Sequence, residues 1–179
     1  IYSKTSGTYN IAGAEIDVLS SNRIMQISAA SGAFNNNDFR IDSLALQLDK
    51  SKLNISLDFR QFFSYLWMND STKIYEASMH AISDYLRLED FLLGDENVNG
   101  NASEQSKNFM IHSVFKVDSL RYEKFVANNM HAAIDLTHAK MQAEYLDFNA
   151  FDGRIEMNGT ALASDLHYQV FCDAEVKNA

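Results

Sequence analysis

The stretch FMIHSVFKVDSLRYEKFVANNMHAAIDLTHAKMQAEYLDFNAFDGRIEMNGTALA, from Phe109 to Ala163, decides the fold. Successive side chains of a β-strand point to opposite faces, so residues two apart share a face. One such set is apolar throughout: Ile134 and Leu136, then Met141, Ala143 and Tyr145, then Ile155 and Met157. A succession of segments of this kind makes an antiparallel sheet with one apolar face and one polar face.

The same pattern extends toward the N-terminus. Tyr9 and Ile11 set one phase, and Ala14, Ile16 and Val18 take up the other, so Gly13 at the slip marks a β-bulge. Ile24 to Ala29 reads as a short strand. Leu44, Leu46 and Leu48 are in phase, and after the polar turn Asp49-Lys50-Ser51-Lys52 come Leu53, Ile55, Leu57 and Phe59, a hairpin. The crowded aromatics of Gln61 to Met68 (Phe62, Phe63, Tyr65, Trp67) fit a short helix or a bulged strand equally well. They are read as a plug or cap over one end of the sheet. Ser78 to Leu88 resumes as strand, and Glu89 to Leu93 before Gly94 fits one helical turn. The chain has no proline, so its turns fall to Ser20-Ser21-Asn22, Asn35-Asn36-Asn37-Asp38, Asn128-Asn129 and Asp152-Gly153.

The expected fold class is therefore mainly β: a curved antiparallel sheet forming a β-groove, with one or two short helices. Val117-Asp118-Ser119-Leu120 echoes Ile41-Asp42-Ser43-Leu44, which divides the chain into a first β-repeat over residues 1–93 and a second over 109–179. Between them, residues 94–108 are polar, Asn-rich and aperiodic, a linker or mobile loop. The alternative is one continuous domain.

With 179 residues, 46% of them hydrophobic and 12% aromatic, the chain can build a packed core. A net charge of −9, with its 15 Lys and Arg scattered singly, offers no footprint for nucleic acid. The single cysteine, Cys172, shares its alternation with Leu166, Tyr168, Val170 and Val176 and reads as a buried thiol. No apolar run approaches the roughly 18 residues of a membrane-spanning helix. A start at Ile1 without a signal core fits a piece excised from a longer protein.

Chemistry-bearing patterns are few. His80, His112, His131, His138 and His167 form no ligand-spaced pair. Glu89-Asp90 and Asp95-Glu96 occupy turn-like positions, where charge is solvated. There is no nucleophile elbow and no phosphate-cradling glycine loop. The expectation is a non-enzymatic protein with no catalytic residue, metal or cofactor.

The order Asp118 to Tyr122, Asn128 to Leu136 and Leu146 to Thr160 resembles the C-terminal region of the AsmA family, related to the TamB-type envelope proteins of diderm bacteria. That family carries aromatic-x-Gly-[Arg/Lys] followed by a further glycine, positions held here by Phe151, Gly153, Arg154 and Gly159. The resemblance covers roughly residues 38 to 165 and includes Ser83 to Leu92 as a strand leading into an acidic-apolar turn. It implies a periplasmic segment of an inner-membrane-anchored parent, whose apolar β-groove carries phospholipid between membranes or maintains the outer membrane. The groove would be lined by Leu44, Leu46, Leu48, Leu53, Ile55, Leu57, Ile134, Leu136, Met141, Tyr145, Ile155 and Met157. The competing reading is a closed β-sandwich serving as a structural or protein-interaction module. An isolated sheet edge also offers dimerisation through an edge strand.

Overall fold

In the computed structural model, residues 5–18, 23–67, 73–91, 108–137, 139–163 and 168–178 are described. Five strands run as an antiparallel meander: β1 (Ser6–Val18), β2 (Arg23–Asn35), β3 (Phe39–Leu48), β4 (Ser51–Phe59) and β5 (Ile74–Ser83). A short helix, α1 (Phe62–Trp67), lies between β4 and β5. After β6 (Leu86–Arg87) and a 3₁₀ turn at Leu88–Asp90, a second meander follows. It consists of β7 (Asn108–Tyr122), β8 (Phe125–Thr137), β9 (Lys140–Ala150), β10 (Gly153–Ala163) and β11 (Tyr168–Asn178).

All belong to one open, curved 11-stranded sheet in the order β1-β2-β3-β4-β5-β7-β8-β9-β10-β11. The expected curved β-sheet is thus the fold, with one departure from an antiparallel sheet: β5 and β7 pair in parallel, from Ile74↔Asn108 to Ser83↔Val117. β6 continues β5 against β7 in the same register, Leu86 facing Leu120. The kink between them is held by Lys52 N–H to the Tyr85 carbonyl (3.4 Å) and Ser119 N–H to the Asp84 carbonyl (3.1 Å). The described strands of residues 1–93 and 109–179 therefore belong to one continuous sheet. Residues 94–107 of the expected linker lie outside the described residues, as does the turn expected at Ser20-Ser21-Asn22.

Turn chemistry follows the sequence at several points. Asn35 Oδ1 accepts from the N–H groups of Asn37 (2.7 Å) and Asp38 (2.8 Å), closing the β2–β3 connection. Phe151 and Asp152 both adopt left-handed backbone (φ 53 and 59), as a tight hairpin turn of right-twisted strands requires. Asn128-Asn129, in contrast, is no turn. It lies inside β8, where Asn129 (φ 53) forms a bulge, and the turn before β8 is Glu123-Lys124. The second strand is also longer than expected, reaching Asn35.

Bulges recur along the sheet and restore the phase of the apolar side chains. Gly13 (φ 67) does so in β1, placing Tyr9 and Ile11 on the same face as Ile16. In β3 the register shifts between Ile41 and Leu44, so both face the apolar side with Asp42-Ser43 between them. Val117 and Leu120 are likewise both buried on one side of Asp118-Ser119. The shared I/V-D-S-L tetrad is therefore a shared bulge.

Gly32 shows how tightly the apolar face is packed in the first meander. A Cβ there would run into the Arg40 carbonyl oxygen and the ring of Tyr9. Tyr9 crosses over Gly32 to stack on Phe39, two strands away, with centroids 5.6 Å apart, and donates its hydroxyl to the Arg40 carbonyl at 3.2 Å. Overpacking of this kind costs about 1–3 kcal/mol, so Gly32→Ala is expected to lower the free energy of unfolding by that amount, read as a lower urea midpoint with an unchanged m-value. A change below about 0.5 kcal/mol would show that the Arg40 carbonyl and Tyr9 both give way freely.

Candidate functional site

Register assigns each side chain to a face. One face carries Ile11 and Ile16 of β1, Met25 and Ile27 of β2, and Leu44, Leu46 and Leu48 of β3. It continues with Leu53, Ile55 and Leu57 of β4, Ala77 and Ala81 of β5, and Phe115 and Val117 of β7. Ala132, Ile134 and Leu136 of β8, Met141 and Leu146 of β9, Ile155 and Met157 of β10, and Val170 and Val176 of β11 complete it. The apolar face is thus unbroken across the sheet. The central alanines Ala77, Ala81 and Ala132 are at most 4% exposed, with no second sheet above them among the described residues. Among the described residues, neighbouring side chains on the curved sheet are what cover them.

The expected groove residues sit on this face with one exception. Tyr145 pairs with Ala133 while Ala143 pairs with Ile134, because Glu144 is an extra residue in β9. The shift seen from β10, between Met157 and Gly159, has the same origin. The phase therefore flips, and Tyr145 lies 45% exposed on the polar face. No glycine marks this bulge, so the sequence carried no signal of it. A second correction concerns Cys172, which is exposed on the edge strand β11. Its alternation was read correctly, but no further strand covers it among the described residues. Leu166, His138 and His167 lie outside the described residues.

The face is closed at one end by α1, as the cap reading expected. Phe62 packs against Phe39 (5.0 Å) and Phe59 (5.2 Å), Phe63 against Phe34 (6.4 Å), and Tyr65 against Tyr75 (5.3 Å). Trp67 stacks on Phe63 at 5.2 Å but remains 74% exposed. At the other end Leu86, Val117, Leu120 and Ala127 form a core cluster with Leu53, Leu88, Phe125 and Phe148 around it. Beside it the buried Ser51 hydroxyl donates to Asp90 at 2.7 Å and accepts from Arg87 N–H at 2.9 Å. Between these ends the apolar face is half-buried in the middle strands and most open in the flanking ones.

The motif residues frame the β9–β10 hairpin. Phe151 occupies the turn with its ring 5.8 Å from Phe125, and Gly153 begins β10. Arg154 bridges Asp147 and Glu156, both at 3.2 Å. Gly159 permits a close approach, since a Cβ there would lie 2.7 Å from the Phe171 carbonyl oxygen. A hollow of about 720 Å³ on the polar face is lined by Val126, Asn128, Asn149, Phe151, Arg154 and Lys177. A hollow of about 520 Å³ beside α1 is lined by Phe34, Phe63 and Trp67.

The polar face is laced with charge pairs. His112 Nδ1 is 2.6 Å from Asp135, and Lys177 Nζ is 2.6 Å from Glu156. The hydrogen bond with Lys177 holds the Glu156 carboxyl below the usual range and the Lys177 ammonium above it. The Glu89 carboxyl is also lowered, first by the Glu123 N–H donated to it at 2.5 Å, then by its own backbone N–H and by Arg87. Among the described residues no group of three or more His, Cys, Asp or Glu converges on a metal site. No described helix is long and apolar enough to cross a membrane. No family model, curated protein or solved structure matches this chain.

Two outcomes check this geometry. Maleimide should label Cys172 completely in the native protein without denaturant, since the thiol is open to the reagent. Protection from the reagent would return Cys172 to a buried position. A carboxyl lowered on folding contributes stability that is present above its unfolded pKa and lost as pH falls through the folded one. Glu89→Gln should therefore flatten the fall of Tm with acidification below about pH 4.5 and leave the neutral-to-alkaline limb unchanged.

Proposed function

We propose that this chain is a non-enzymatic, periplasmic segment of an AsmA-like, membrane-anchored envelope protein, and that its apolar β-sheet groove receives phospholipid acyl chains. One observation carries the reading: the apolar face runs without interruption from one edge strand to the other, and no second sheet covers it among the described residues. A closed sandwich needs two sheets packed about 10 Å apart, whereas all the strands here belong to one.

The physical chemistry is that of a surface. Each methylene moved from water onto an apolar face contributes roughly 0.8 kcal/mol, so an acyl chain is held without a dedicated polar site. A ten-residue strand spans about 33 Å, longer than one acyl chain. Val170 and Val176 are the most exposed of these apolar-face residues, with Met141, Ile11 and Ile16 next, so an acyl chain gains most along the flanking strands, and Leu136 and Met141 lie on the β8–β11 flank. The Phe151-x-Gly153-Arg154 hairpin, stiffened by the Arg154–Asp147 pair, borders that flank.

The test is lipid extraction and mass spectrometry of the purified protein. Phospholipid is expected at near-stoichiometric amounts, reduced at least tenfold in a Leu136→Glu, Met141→Glu double variant. Tyr145→Glu, on the opposite face, should retain it. A wild-type chain without acyl lipid, or a Tyr145→Glu variant that loses as much as the double variant, would defeat the reading.

A further inference from the structure

Phe151 is poorly explained by the fold that carries it. It occupies the β9–β10 turn in left-handed backbone (φ 53), a conformation that bulky side chains resist and that Asn, Asp or Gly ordinarily fills. Its ring lies 5.8 Å from that of Phe125, yet the residue remains 84% exposed, so the contact hides little apolar area. Neither the turn nor the core accounts for a strained aromatic held out in solvent, and backbone outliers of this kind cluster at ligand sites.

Phe151 borders the hollow of about 720 Å³ on the polar face, a size within the range of small-ligand sites. Asn128 stands opposite Asn149, and Asn149 opposite Arg154, so β8, β9 and β10 place two amides and a guanidinium in one row. These strands are interior, with β7 and β11 on either side, so the row does not depend on a sheet edge. Both asparagines are exposed, and the bulge at Asn129 adjoins the first. Arg154 is held through Nη2 by Asp147 and through Nε by Glu156, each at 3.2 Å, which fixes its plane and leaves Nη1 to donate elsewhere. Lys177, also in the lining, is engaged by Glu156 at 2.6 Å and Glu175 at 3.6 Å. With Asp152 in the turn, carboxylates outnumber cations here, so the hollow holds no spare positive charge for a phosphate or carboxylate. It offers neutral amide donors and acceptors, an oriented guanidinium and an aromatic ring. A pyranose ring matches that set, with C–H groups on its face for the aromatic and hydroxyls around its rim that both donate and accept. We infer that the hollow beside the Phe151 turn binds a neutral sugar unit, its ring against Phe151 and its hydroxyls on Asn128, Asn149 and Arg154.

The site lies on the face opposite the apolar groove, so it stands or falls separately from acyl-chain binding. The full chain is titrated with maltotetraose, cellotetraose and chitotetraose as neutral probes and with tetragalacturonate as the anionic one, followed by heteronuclear NMR. At least one neutral probe should bind with millimolar or tighter affinity, shift the side-chain amides of Asn128 and Asn149, and bind at least tenfold more tightly than tetragalacturonate. Phe151→Asn should weaken that binding at least tenfold while Tm stays or rises, because Asn suits the turn that Phe strains. Asn149→Ala, away from the turn, should weaken it comparably at unchanged Tm. Vesicles carrying a neutral digalactosyl lipid, compared with plain vesicles, separate the two sources of the sugar: selective binding assigns a glycolipid headgroup, and binding of the free tetrasaccharides alone assigns a soluble glycan. No binding of any neutral probe at millimolar concentration, shifts confined to other residues, preference for tetragalacturonate, or full binding by Asn149→Ala overturns the proposal.

Discussion

Everything in this structure depends on keeping one side of the sheet apolar from strand to strand. A single sheet has no opposing layer to hide an error of phase, and a slip of one residue would turn an entire apolar set toward water. The chain meets this constraint by inserting residues. Gly13 in β1, Asp42 in β3 and Glu144 in β9 each absorb one position, so the apolar series resumes on the correct side. The same insertions increase local twist and bend the strands, and the concavity that buries Ala77, Ala81 and Ala132 accompanies them.

How far these devices were legible depended on the residue that makes them. Gly13 was readable, because glycine is the ordinary occupant of left-handed backbone and the apolar phase visibly changes across it. The β3–β4 hairpin was equally clear, with Leu44 to Leu48 and Leu53 to Phe59 in phase around a polar turn. Glu144 was not readable. Nothing in Met-Gln-Ala-Glu-Tyr distinguishes an inserted residue from an ordinary one, and Tyr145 suits either face. Asn128-Asn129 misled for the converse reason, since residues that tolerate positive φ serve turns and bulges alike. The exposure of Cys172 is a property of strand order, which no local pattern encodes.

The two faces divide the physical roles. On the polar face, ion pairs such as His112–Asp135, Arg154–Asp147 and Lys177–Glu156 link neighbouring strands at the surface. Exposed pairs of this kind contribute little each, on the order of 0–1 kcal/mol, and their use here lies in fixing which residues stand opposite one another. On the other face, contact between apolar side chains is non-directional. Among the described residues, the aromatic helix α1 leaves the sheet to fill part of that surface itself.

The parallel seam between β5 and β7 has a consequence for how the molecule forms. Apart from that seam, neighbouring strands in the sheet are also neighbours in the chain, so their association closes only short loops and can begin locally. The seam joins Ser83 to Val117, and its closure carries the largest single entropic cost in the topology, a cost that grows logarithmically with the residues enclosed. The difference is small, about 0.6 kcal/mol per doubling of the loop, but it favours pairing within each half before the halves join. Until the seam closes, β5 and β7 each present an unpaired edge, the kind of template through which strands mispair.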